Sequence, residues 1–220
     1  MELNNQKGFT LIELMITLAI GSMITLAAYA TFFSQQRTYV AQDQVAEVQQ
    51  NLRAAFLRIV IELRMAGYDP TSSGNFTVTS ALPGRIQFTA DTSGDGNIDS
   101  NETIVLGLSP TVDANGDGIP DANSAVNIGG GSGGFQAIAE NIQAVEFLYL
   151  DSNDAVTTTL SDIRSVQISI LAISSREDER IVNKTQYQLP SPSVQTWGPY
   201  NDCYKRRLQT LRVRCRNLGL

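Results

Sequence analysis

Histidine is absent from all 220 residues. That removes the commonest general base and the commonest metal-ligating side chain. Cysteine is nearly as scarce, and the two that occur, Cys203 and Cys215, are too far apart for a redox Cys-x-x-Cys pair. No nucleophile–base pattern stands out, and the acids cluster in two loops instead of standing as isolated pairs, so the composition speaks against an enzyme. No proline or glycine falls between Ser34 and Ala66. Charge is sparse and unevenly placed. The net charge is −6, yet Lys205, Arg206, Arg207, Arg212, Arg214 and Arg216 follow Cys203 with no acid among them. The preceding residues therefore carry −12. A basic terminal segment on an acidic body predicts pairing within the chain or between subunits, and no direct nucleic-acid binding.

The largest feature present is an apolar run from Phe9 to Phe33, in which Glu13 is the single formal charge. As a helix at ~1.5 Å per residue it covers roughly 37 Å, enough for a hydrocarbon core of ~30 Å. A carboxylate near the centre of such a span costs about 2.5–3.5 kcal/mol. A carboxylate in such a run needs a partner, and the run itself offers none. An ordinary single-span anchor with an interfacial acid is one reading. A secretory signal peptide ending at Ala28-Tyr29-Ala30 is another, although its apolar segment is longer than the usual ~7–15 residues and Glu2 cancels Lys7 ahead of it.

From Gln35 to Ala66 the pattern turns amphipathic. Val45, Val48, Leu52, Ala55, Ile59 and Leu63 recur at steps of three and four. One continuous helix from about Phe9 to Ala66 is predicted, ending at Gly67 as a left-handed cap, with Pro70 preventing its return. The organisation expected is a leader over 1–8, a membrane helix over 9–33, its amphipathic continuation over 34–66 and a β-rich head over 67–220. Within the head, Phe76-Thr77-Val78 is a short strand candidate. Ile86 and Phe88, residues 103–108, Val145/Phe147/Tyr149, Val166/Ile168/Ile170 and Leu211/Val213/Cys215 have the period of two of half-buried strands. Gly129 to Gly134 reads as a flexible loop.

Two acidic loops interrupt the head. Asp91 to Glu102 fits a twelve-residue calcium loop. Asp91, Ser93, Asp95, the Asn97 carbonyl, Asp99 and Glu102 would supply oxygens, and Gly96 the tight turn. Ser93 replaces the usual acid, and the flanks read as strands, not helices. The competing reading is an Asx-rich turn that binds nothing. The second loop, Asp113 to Ser124, offers Asp113, Asn115, Asp117 and Asp121 but ends on a serine. It resembles the acidic calcium repeats of thrombospondin type 3 domains. Ca²⁺ is the one cofactor these loops suggest.

Gly8-Phe9-Thr10-Leu11-Ile12-Glu13-Leu14, preceded by a short polar segment with Lys7, resembles the cleavage region of type IV prepilins. The resemblance implies cutting between Gly8 and Phe9 by the prepilin peptidase and N-methylation of Phe9. It implies assembly through Glu13, neutralised by the freed amine of a neighbouring subunit. The amine, with a reference pKa near ~8, is cationic at neutral pH. Leu63 to Pro70, Glu140 to Tyr149 and Arg214 to Leu218 are similar to segments of PilW-type minor pilins, relatives of the J-type pseudopilin of type II secretion. That kinship implies an α+β pilin-like fold: a long N-terminal helix packed on a mostly antiparallel sheet. The implied function is a minor pilin that primes or caps assembly. Its partners would be the other minor pilins, the major pilin and the inner-membrane platform. The head would face the periplasm before assembly and the pilus or cell surface after it. A J-type pseudopilin, or a non-polymerising membrane-anchored calcium-binding or adhesive module, remain alternatives. In an exported chain, Cys203 and Cys215 read as a disulfide, with two buried free thiols as the competing reading.

Overall fold

The computed structural model describes residues 8–122, 124–132 and 135–219, the Ser132 side chain excepted. The expected leader lies almost wholly outside these residues. One unbroken helix, α1, runs Leu11–Met65. The chain divides into two compact units, one ending at Asp43 and one spanning Gln44–Leu220. In the first, every helical residue from Leu11 to Phe33 is exposed. This segment is long and apolar enough to cross a membrane.

In the second unit the helix buries Gln44, Val48, Leu52, Ala55, Phe56, Ile59 and Leu63. Those positions form one stripe, as steps of three and four require. Val45, expected in the stripe, is 42% exposed. Phe56 takes a place the pattern did not assign. Glu47 fixes the approach to the sheet, accepting hydrogen bonds from Asn141 Nδ2 (3.2 Å) and Ser175 Oγ (2.8 Å). The helix ends at Gly67 with φ +75°. That conformation demands glycine; a Cβ there would also lie 2.5 Å from Leu218 Cδ2, a side-chain tip that would have to shift.

The sheet has seven antiparallel strands: β1 Val78–Leu82, β2 Arg85–Thr89, β3 Thr103–Leu108, β4 Val126–Ser132, β5 Gln136–Leu150, β6 Ser165–Glu177 and β9 Tyr204–Arg214. Their spatial order is β1-β2-β3-β4-β5-β6-β9. The architecture is α+β, a long N-terminal helix on a large antiparallel sheet. Val145, Phe147 and Tyr149 in β5 and Val166, Ile168 and Ile170 in β6 are buried in the core that receives the helix. The first strand lies later than expected, beginning at Val78.

Two expectations need correction here. Gly129 to Ser132 is not a flexible loop. Gly129, Gly130 and Gly131 pair with Gly107, Leu106 and Val105 of β3, and Gly129 and Gly130 also pair with β5. A Cβ on Gly130 would stand 2.2 Å from the Val105 carbonyl oxygen, and one on Gly129 2.5 Å from that of Gln136. The glycines permit close backbone approach inside a sheet, the other use of glycine in a strand. Gly133 and Gly134 lie outside the described residues.

The second correction concerns the far face of the sheet, where alternation predicted solvent. All of Ser165 to Ser174 is buried. The cover is the excursion between β6 and β9, which contains β7 Tyr187–Gln188 paired with β8 Thr196–Trp197. Leu189 and Trp197 pack on Ala144 and Leu171. Gln167 Nε2 donates to the Pro190 carbonyl at 3.0 Å. Glu146 accepts from Ser193 Oγ at 2.8 Å, and burial pushes its carboxyl up.

Candidate functional site

The first site is the start of α1. Phe9 is 90% exposed. Thr10 and Glu13 form a reciprocal cap: Glu13 Oε2 accepts from the Thr10 backbone N–H (2.9 Å) and hydroxyl (2.7 Å), while the Glu13 N–H reaches Thr10 Oγ1 at 3.3 Å. This is a capping box, Thr-x-x-Glu, which satisfies orphan donors of the first turn. The apolar run therefore does offer Glu13 a hydrogen-bonding partner, though not a cation. The Thr10-x-x-Glu13 spacing carries this signal in the sequence, and it concerns hydrogen bonding, not charge. Among the described residues nothing bonds Glu13 Oε1.

The second site is the loop between β2 and β3. It brings carboxylate oxygens of Asp91, Asp95 and Glu102 within 4.8 Å of one another. Asp91 and Glu102 are fully buried. Asp91 Oδ1 accepts from the Gly94 N–H and Oδ2 from the Gly96 N–H. Glu102 Oε1 accepts from the N–H groups of Thr92 and Ser93, each 2.8 Å away, and Oε2 from that of Asp99 at 3.1 Å. Backbone donation from Ser93, Asp99 and Thr92 outweighs burial and lowers the Glu102 carboxyl to about 2. The donor set is all oxygen and suits a hard cation. Asp91, Asp95 and Glu102 would hold it, with Ser93 Oγ, 3.4 Å from Asp91 Oδ1, alongside. Asp99 lies outside the group and contributes its backbone N–H to Glu102.

The second loop differs. Among the described residues Asp113, Asp117 and Asp121 form no comparable convergence. Each caps local backbone instead. Asp113 is fully buried and accepts from the N–H groups of Asp117 and Gly118, Asp117 from that of Ile119, and Asp121 from that of Ala114. Asn115 Nδ2 donates to Asp117 Oδ2 at 2.9 Å. The loop meanwhile supplies the Gly118 carbonyl to the Val145 N–H of β5 (2.9 Å) and the Gly116 carbonyl to the Gly84 N–H (2.8 Å). It plugs the sheet beyond the end of β4, satisfying donors that would otherwise be bare.

The expected disulfide is contradicted. Cys203 and Cys215 are free thiols. They flank the eleven-residue strand β9. At ~3.3 Å per residue, twelve extended steps separate them by about 40 Å, against the ~7 Å limit between bridged Cα atoms. The two cysteines are close in sequence but distant in space because the intervening segment is a strand and not a turn. Burial pushes the Cys215 thiol up to about 12.

The basic strand is paired in part. Lys205 meets Asp178 at 3.1 Å, Arg206 meets Asp202 and lies 4.0 Å from the Tyr200 ring centroid, and Arg212 meets Asp154 at 2.6 Å.

Residues 3–29 match the prokaryotic N-terminal methylation motif. Among solved structures, the chain is similar to a type IV-like pilin from Thermus thermophilus. The identity is 13% and the TM-score 0.45, covering 78% of this chain and 98% of that one. No curated protein matches.

Proposed function

We propose that this chain is a structural subunit of a type IV pilus, a minor pilin that primes or caps filament assembly. The supporting observation is the N-terminal methylation motif at the head of a helix whose apolar half is exposed on every side. An exposed apolar helix of this length needs lipid or other helices around it. Both environments serve in turn: the inner membrane before assembly, with the head in the periplasm, and the filament core afterwards. The prepilin peptidase cuts after Gly8, and Phe9 becomes the methylated N-terminus. The Thr10 cap holds Glu13 through one oxygen and leaves the other for the terminal amine of a neighbouring subunit. The other pilins and the membrane assembly platform are the partners.

The test is the mass of the N-terminal peptide of the mature chain, with Glu13→Ala as companion. A chain beginning at methylated Phe9 and loss of filament incorporation in the variant are expected. A retained leader, or a start at Thr31, overturns the reading. A pseudopilin of type II secretion would use the same N-terminal chemistry, and secretion and piliation assays of a deletion strain separate the two.

A second proposal concerns the first loop: Asp91, Asp95 and Glu102 bind Ca²⁺. Their convergence within 4.8 Å supports it. Calcium titration of the detergent-solubilised chain should show one saturable site with Kd of about 10⁻⁴–10⁻³ M, the range of extracellular modules. Glu102→Gln should abolish it. No uptake by the wild type at millimolar calcium leaves the loop an Asx-rich turn.

A further inference from the structure

The end of β9 carries a cluster of arginines that the assembly reading leaves unused. A cleft of about 590 Å³ opens where the connection from β5 to β6 meets the last residues of β9, lined by Arg164, Arg212, Arg214 and Arg216 together with Asp151 and Asp154. The two acids are already engaged. Asp154 holds Arg212, and Asp151 Oδ1 caps its own turn by accepting from the N–H groups of Asn153 (2.8 Å) and Ala155 (2.9 Å). Arg164 is fixed in place: its Nη1 donates to the carbonyls of Ser161 and Ile163, and its guanidinium fills the space where a Cβ on Gly219 would stand. Arg212 Nε is steadied by Ser165 Oγ at 3.3 Å, and Arg214 sits opposite Ser165 in register. Arg214 and Arg216 are exposed, with no carboxylate partner among the described residues.

We propose that this cleft receives the carboxylates of an acidic loop on a neighbouring subunit. The proposal rests on the polymer reading above. Guanidinium groups are suited to carboxylates, which they bind through paired N–H donors. The cleft presents two unmatched cations beside two cations that already bind acids or carbonyls. A long polyanion is disfavoured, because the residues before Cys203 carry −12 in total and would repel it. A short loop avoids that surface. The chain itself displays the matching chemistry on its first acidic loop, where Asp99 is exposed and lies outside the proposed calcium group, and Asp95 is exposed when that site is empty.

The test uses the full chain in calcium-free detergent solution, and as probe a fluorescent peptide with the sequence of residues 94–101, whose two acids, Asp95 and Asp99, are exposed in the folded loop. Controls are the same peptide with its acids changed to amides, and a single-stranded oligonucleotide. Anisotropy should report saturable binding of the acidic peptide only. Arg214→Ala/Arg216→Ala should weaken it at least about tenfold, and Arg214→Lys/Arg216→Lys should restore part of the loss. Absence of binding, equal binding by the double alanine variant, or displacement of the peptide by the oligonucleotide overturns the proposal. The N-terminal mass keeps the two readings apart. A methylated Phe9 with no arginine-dependent binding defeats the cleft alone. An unprocessed N-terminus with such binding defeats the polymer reading and with it the neighbouring subunit as the source of the carboxylates.

Discussion

Gly130→Ala separates a strand from a loop by the sign of its effect. In a flexible loop, replacing glycine by alanine removes unfolded-state freedom and stabilises by about 0.4–1 kcal/mol. In β4 the new methyl would meet the Val105 carbonyl oxygen at 2.2 Å, Leu106 Cδ2 at 2.7 Å and Leu106 Cα at 3.1 Å. The decisive contact is the first, because a backbone carbonyl held in a ladder cannot turn aside as a side-chain tip can. Gly130 faces Leu106 on one side and Gln136 on the other, so relief requires moving β3 or opening the pairing. Overpacking of this kind costs about 1–3 kcal/mol. For a domain of this size each kcal/mol moves Tm by roughly 2–4 °C. The expected result is a fall of about 2–12 °C in the detergent-solubilised chain, followed by circular dichroism of the sheet signal. An unchanged or raised Tm would refute the central position of β4.

Ile59→Ala should destabilise the head by about 2–5 kcal/mol in denaturant titration, because Ile59 is fully buried between helix and sheet; a loss below ~1 kcal/mol would mean the helix is not seated there. Reducing agent should leave Tm unchanged, and native alkylation should label the half-buried Cys203 faster than the buried Cys215; a shift on reduction would restore the disulfide. Glu102 has a lowered pKa in the fold, so its contribution is complete above the unfolded carboxylate range near ~4.3 and is lost as pH falls toward about 2. Acid titration followed by amide exchange at Thr92, Ser93 and Asp99 should show protection declining across that window, and no such decline in Glu102→Gln.

The N-terminal helix was legible because its determinants are local. A run of apolar residues without a helix breaker, then a stripe at steps of three and four, specifies one helix whatever surrounds it. The strands of β2, β3, β5 and β6 were legible for a similar reason, since alternation reports a core face. Only part of the first loop was readable. Spacing identified Asp91, Asp95, Asp99 and Glu102 among the candidates, while the commitment of Glu102 to three backbone N–H groups and the place of Asp99 outside the converging carboxylates follow from how the turn closes.

What the sequence by itself determined is therefore the long helix, its apolar first half, its cap at Gly67 and the β character of the head. Tertiary structure alone decided that Gly129 to Gly131 lie inside a sheet, that the second acidic loop closes the gap beside β5, and that the two thiols stand at opposite ends of β9. It also decided that the excursion between β6 and β9 covers the far face. Each depends on which segments meet across long sequence separations, and a residue's own neighbours in the chain carry no record of what will be packed against it.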